Sequence, residues 1–355
     1  MGRDLQWRAE SGSGARNLAA HSISSRALRR VLCGVSLLAS VTCGGARRSA
    51  TPAEHAGTAL HQGPLTDFVP AAGLRWMVVV RPRELLEDRD FRAGIEQLFP
   101  DARLDVFARN SGVDLRTLNT GLVAGFDLGT LYLAETATVA PAKQAFLSRL
   151  ASEPVEKHLG SGVQHVTGLI GTTPESLIVV PHQFIGVSVN DPTLTKIAGA
   201  FALRKLKKSP SALFGAALSA LPSSLSSDPI QFYAPGPFSD DWAQGAHGLL
   251  RSTVAIGITG RVNSPGTLDV LLQLEGEYAE GTEATTQKAL STFRELADSA
   301  LGRVLSLNDP SLAPEFVATP RQVNARVRLP IKRLLDGLHA VVSANVWDLL
   351  DYTPR

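Results

Sequence analysis

Cysteine, methionine, tyrosine and tryptophan are scarce, with two, two, four and four residues among 355. Both cysteines, Cys33 and Cys43, lie near the start, and none follows. A disulfide framework, a cysteine-rich zinc site and a cysteine nucleophile in the body are thereby excluded. The chain also lacks a G-x-x-x-x-G-K-[ST] phosphate cradle, an H-E-x-x-H pair and a G-x-S-x-G elbow. "GVSVN" at 186–190 ends in Asn and reads as a strand, not as a strand-to-helix elbow. Charge of one sign is missing too. Six of the 35 basic residues and two of the 33 acidic ones fall within 1–43, which leaves 29 against 31 in the remainder. Nucleic-acid binding leaves a basic footprint, and the body has none. With few large aromatics, Leu, Ala, Val, Ile and Phe must build the core.

What is present begins with "RALRRVLCGVSLLASVTCGG", residues 26–45. The apolar run Val31–Val41 rises about 16 Å as a helix, against a hydrocarbon core of about 30 Å, so it cannot span a bilayer alone. Arg26, Arg29 and Arg30 precede it, as in the positive n-region of an export signal, and its length suits an h-region. A short buried helix is the bland alternative, but 1–25 is rich in Gly, Ser and Arg and offers no core to join. Cys43 stands where the apolar run stops, before Gly44-Gly45. The segment resembles the lipobox of bacterial lipoproteins, with Ser40-Val41-Thr42 ahead of the cysteine. The resemblance implies a signal peptide over 1–43, acylation of Cys43, and a lipid-anchored body facing the periplasm of the bacterial cell envelope. Cleavage of an ordinary signal nearby, giving a soluble secreted or periplasmic protein, is the alternative.

Residues 44–64 show no apolar periodicity and read as a flexible tether, with His55 and His61 solvated in it. Beyond it, "LRWMVVVR" (74–81) predicts a strand, and Phe91, Ile95, Leu98 and Phe99 share a helix face behind an Asp90 cap. A short helix over 101–109, a hairpin over 120–136, a helix over 140–151, three strands between 162 and 190 and a helix from Asp191-Pro192 follow. "SALPSSLSSDP" (219–229) reads as a boundary. After it come a strand at 230–236, a helix at 239–250, a hairpin around "NSPG", a helix at 283–304, two strands and a helix from 331. Both parts read β-α-β-β-α-β-β-α, with an extra strand and short helix in the first. In 266–276 and 322–329 apolar residues alternate with polar ones, which implies one buried and one wet face. The expected class is α+β: two similar lobes, 65–218 and 229–352, each an antiparallel sheet with helices on one face.

The stretches "DFVPAAG", Pro82-Arg83-Glu84-Leu85-Leu86-Glu87-Asp88 with Phe91-Arg92, "LIVVP" and the C-terminal "VRLPIKRLL" resemble an uncharacterised family of exported bacterial proteins. That resemblance implies an exported α+β protein and names no activity.

No arrangement commits the chain to catalysis, a metal or a cofactor. His158, His165 and His182 lie within 25 residues but read as separate positions. Asp240-Asp241 reads as a helix cap, and "RKLKK" (204–208) as a solvated helix end. The stretch "FYAPGPFSDDW" gathers Phe232, Tyr233, Phe238 and Trp242 around two prolines. It is the candidate contact surface, with a core roof as the alternative. The functional expectation is a lipid-anchored binding or interaction protein with a protein partner or an apolar ligand. A carrier of an apolar ligand is the alternative, and a hydrolase without a recognisable motif the third. A carrier predicts an apolar cavity, and an interaction module a flat apolar patch.

Overall fold

The computed structural model describes residues 59–136, 138–206, 209–238, 246–264, 266–279 and 281–339. The first half of the chain gives β1 (Leu74–Val80), then α1 (Pro82–Leu85), α2 (Arg89–Leu98) and α3 (Asp101–Ser111). The hairpin β2 (Gly121–Phe126) and β3 (Thr130–Glu135) leads to α4 (Ala140–Arg149). Four strands follow, β4 (Val155–Gly160), β5 (Val163–Ile170), β6 (Thr173–Val180) and β7 (Phe184–Val189), and then α5 (Thr193–Ala202). After a run of 3-10 turns the second half gives β8 (Ile230–Pro235), β9 (Thr253–Ser264) and β10 (Thr267–Gly276). It continues with α6 (Thr282–Asp298), α7 (Ala300–Val304), β11 (Glu315–Ala318), β12 (Gln322–Pro330) and α8 (331–339).

The twelve strands of the described residues join one antiparallel sheet in the order β11-β12-β10-β9-β8-β1-β2-β3-β7-β6-β5-β4. The α+β class read from the sequence is the class the chain forms. The repeated order is present as well. Outward from the centre, β1-β2-β3-β7-β6 is matched by β8-β9-β10-β12-β11, and the β5-β4 hairpin extends the first half. The two halves are parts of one sheet, because β1 pairs with β8 from Met77↔Tyr233 to Val80↔Ile230. Left apart, each strand would present a row of unpaired backbone donors and acceptors, and joining them satisfies both. Segment 219–229 is fastened to the sheet at this seam. Arg81 donates to the carbonyls of Ser227 at 2.7 Å and Ser226 at 2.9 Å, and Leu225 is buried.

Strand alternation sorts the core. On one face Met77, Val79, Leu122 and Leu133 pack under α5 and the 3-10 turns. On the other, Val262, Val270 and Leu268 pack with Phe91 and Leu98 of α2 and with Leu334 and Leu335 of α8. Phe232, Ile258 and Leu272 lie in a cluster with Ala289 of α6, and Leu177 and Val179 lie beneath Ala142 and Phe146 of α4. Helices therefore cover both faces of the first half, where one had been expected. The reason is β6, which is buried on both sides: Leu177 and Val179 meet α4, while Ile178 and Val180 join the α5 cluster. Those consecutive buried residues are the signature of a strand covered twice. The described part of the second half keeps the expected one-sided plan.

Local departures have local causes. β4 was not expected, because "VEKHLG" has no apolar alternation. It is an exposed edge strand held by backbone pairing to β5. The cap of α2 is Asp88, which accepts the Phe91 N–H at 2.8 Å, and not Asp90. The helix read across 283–304 breaks at Ser299, whose side chain accepts the Gly302 N–H at 3.0 Å. Of the helix read at 239–250, 239–245 lie outside the described residues, and Ala246–Arg251 is a 3-10 element with left-handed φ at His247 and Gly248. The end of the expected tether is docked. The His61 N–H donates to the Ala202 carbonyl at 2.8 Å, and its ring meets Asp67 at 3.0 Å and the edge of Phe68.

Candidate functional site

The most apolar hollow among the described residues lies on the α4 side of the first half. Its floor follows from the register. Val78, Val123, Tyr132, Val187 and Leu177 are consecutive cross-strand partners over β1, β2, β3, β7 and β6, so they form one row on one face. Val80, Gly121, Ala134, Ile185 and Val179 form the row on one side of it. Trp76, Gly125, Thr130, Val189 and Glu175 form the row on the other. Gly121 contributes no side chain, and Leu118 packs over it, 3.1 Å from where a Cβ would stand. The Trp76 indole lies directly over Gly125, where a Cβ would come within 2.4 Å of the ring.

Two helices wall this floor. On α4, Ala142, Phe146 and Arg149 recur at i, i+4 and i+7, the spacing of one helix face, and all three border the hollow. On the other side stand Phe107 and Ser111 of α3, then Val113, Leu115 and Leu118 of the following loop. No residue of α3 is buried. It is held instead by charge and by a close backbone approach. Arg116 reaches Asp105 at 2.7 Å, Asp114 at 2.9 Å and Asp101 at 3.2 Å. The hydrogen bond from Arg116 holds the Asp114 carboxyl below its ordinary range, and the carboxylates push the guanidinium further up. Gly112 ends α3 with φ 70°, packed so closely on Pro141 and Ala142 that a Cβ would lie 2.3 Å from the Ala142 nitrogen.

The result is a groove of about 480 Å³, open on one side. Small-molecule sites span roughly 300–1,000 Å³. Phe107 and Tyr132 of its lining remain 44 % and 45 % exposed. The charged lining residues are Arg149 and Glu175. Burial pushes the Glu175 carboxyl up, partly offset by the charge of Arg149.

No family model and no curated protein sequence matches this chain. Its fold is similar to two crystal forms of TP0453. For form III the TM-score is 0.45 at 10 % identity, over 79 % of this chain and 99 % of that one. For form I the TM-score is 0.45 at 10 % identity, over 79 % and 98 %.

The described residues singled out in the sequence do not border this groove. Cys43, His55, Trp242 and Asp240-Asp241 lie outside the described residues. Of the expected contact surface, the described aromatics Phe232 and Phe238 are half-buried and Tyr233 is buried. Tyr233 is 2 % exposed at the seam, donates to Gln231 Oε1 at 3.1 Å, and has its phenol pushed up to about 12 by burial. Phe232 and Phe238 pack on the second half's core. Phe232 and Tyr233 lie on β8 at the centre of the sheet, and central strands are covered. The three histidines stay apart. His158 and His182 are exposed. His165 is 5 % exposed and joins a buried polar chain through Thr195 at 3.0 Å, with Ser176 and Ser188 2.7 Å from one another. Burial pushes its imidazole down. In the basic cluster, Lys205 donates to the Leu159 carbonyl at 2.9 Å.

Sequence reasoning missed Glu175 and Arg149. The signal for Glu175 was a carboxylate at the start of an otherwise apolar strand, "PESLIVVP". For Arg149 it was the i, i+4, i+7 relation to Ala142 and Phe146, which places a cation on an apolar helix face.

Proposed function

We propose that this chain is an exported binding protein, held at a membrane through acylated Cys43, whose body accommodates an apolar molecule in the groove between α3, α4 and the sheet. The open apolar groove carries the reading. It favours a ligand carrier over a protein-docking module, since a docking module calls for a flat patch and the floor here is sunk between two helices. Binding by such a site draws on burial of apolar area, on the order of 25 cal/mol per Å² removed from water. The anchor part of the reading rests on the arginines, the apolar run and the cysteine at 26–45.

The groove is tested with N-phenyl-1-naphthylamine, a neutral apolar fluorophore. Wild type should bind it saturably at one site, and Val123→Trp, which fills the floor, should abolish binding without lowering the melting temperature. Equal binding by both proteins would refute the groove as the site. The anchor is tested by fractionation. Cys43→Ser should move the chain from membranes to the soluble fraction, and a variant that still pellets after a high-salt wash would remove acylation at this residue.

A further inference from the structure

The groove is asymmetric along its length. Val80, Pro82 and Leu118 close one end, and none of them carries a charge. Arg149, in the last turn of α4, and Glu175, in the outer floor row, stand toward the other. They are near enough for the arginine to act on the carboxyl. No direct ion pair joins them among the described residues, so two opposite charges border one apolar groove without closing on each other.

Each kind of head group meets this end differently. A purely anionic head would pair with Arg149 but face the Glu175 carboxylate and the negative end of the α4 dipole. A purely cationic head would pair with Glu175 and be repelled by Arg149. A neutral head would leave Glu175, half-withdrawn from water, without a charged partner. A head carrying both signs satisfies both residues at once. We propose that the groove takes a single-chain amphiphile with a zwitterionic head, an ammonium directed to Glu175 and an anionic group to Arg149. The proposal rests on the apolar-ligand reading above and adds the class of ligand. An ammonium and a phosphate-like group both form charge-assisted hydrogen bonds with these partners, and the guanidinium fork suits a phosphate. Burial already disfavours the Glu175 carboxylate. An arriving ammonium offsets that cost with an opposite charge.

The test uses the full chain at neutral pH and three lipids of one chain length, kept below their aggregation concentrations: lysophosphatidylethanolamine, lysophosphatidic acid and monoacylglycerol. Each displaces N-phenyl-1-naphthylamine. The zwitterionic lipid should bind about tenfold more tightly than the other two, the scale of one charge-assisted hydrogen bond. Glu175→Gln should erase its advantage over the anionic lipid, and Arg149→Gln should reduce its advantage over the neutral one. Equal displacement by all three lipids overturns the head-group assignment while the groove stands, and so does a preference that survives both substitutions. If neither the probe nor any lipid binds, the apolar-ligand reading itself fails, and the head-group assignment with it.

Discussion

The two halves of the sheet share an element order and differ in how their helices sit. In the second half, Phe293 and Ala297 of α6 and Ile331, Leu334 and Leu335 of α8 reach the sheet and join a continuous core. In the first half the matching face is covered only in part. α4 presses Ala142 and Phe146 onto β6 and β7, while α3 rests beside β1 to β3 with nothing buried. One topology has therefore produced a filled layer on one side of the β1–β8 seam and a groove on the other. The difference teaches that a repeated fold does not carry a repeated site. The groove lies where a helix is fastened by charge and backbone contact instead of apolar burial.

The seam gives the strongest way to break the comparison. Tyr233→Ala should cost about 3–5 kcal/mol, the range for large core truncations, in a urea melt with a single transition. Hydrogen exchange should show β2 and β9 losing protection together. If one half loses protection alone, the halves are independent domains that happen to touch. A smaller effect is expected at the junction of α3 and α4. Gly112→Ala places a side chain at positive φ, worth about 1–3 kcal/mol, and directs it at the Pro141–Ala142 backbone. Exchange in α3 and α4 should rise while β9 to β12 stay protected, and probe binding in the groove should weaken. Unchanged binding would detach α3 from the site.

The most gradual effect is the pH dependence, which sharpens the comparison by sign. The His165 imidazole is pushed below 6.5 in the fold, so the unfolded chain binds the proton first. Its contribution is complete above about 6.5 and falls as the pH drops through that value. Asp114 is held below 3.8, so its contribution falls in turn below that pH. Both belong to the first half. Tyr233 at the seam and Tyr278 in the second half are pushed above 10 by burial, so theirs persists below about 10 and is lost as the pH rises. Exchange followed against pH should show the first half loosening in acid and the seam and second half in alkali. His165→Gln should flatten the acid limb near pH 6. An acid limb unchanged by that substitution would assign it to other groups.

Much of the fold was legible. Alternation in 266–276 and 322–329 announced antiparallel strands with one wet face, and the repeat of element order was visible before any pairing was known. β4 was not legible, because its residues are held by hydrogen bonds to β5 and not by a buried face. The joining of β1 to β8 was not legible either, since backbone pairing leaves no mark on side-chain pattern. That pairing also explains why Tyr233 is buried. Tyr233 looks like a surface residue beside prolines until β1 and its neighbours cover it. The groove escaped entirely. Its floor draws on five strands, and nothing in any one of them says that its neighbours will leave the same face open.

The sequence by itself determined the strand and helix periods and the alternation of buried and wet faces along the strands. These depend on neighbours within a few residues along the chain, where spacing translates directly into geometry. Tertiary structure decided which strands are central, which faces are covered twice, and where the cover is incomplete. Arg149 and Glu175 stand 26 positions apart in sequence, and they border one groove only because α4 folds back across β6. Burial is a property of what arrives from elsewhere in the chain. The chemistry of this site is set by burial and so appears only once the sheet has assembled.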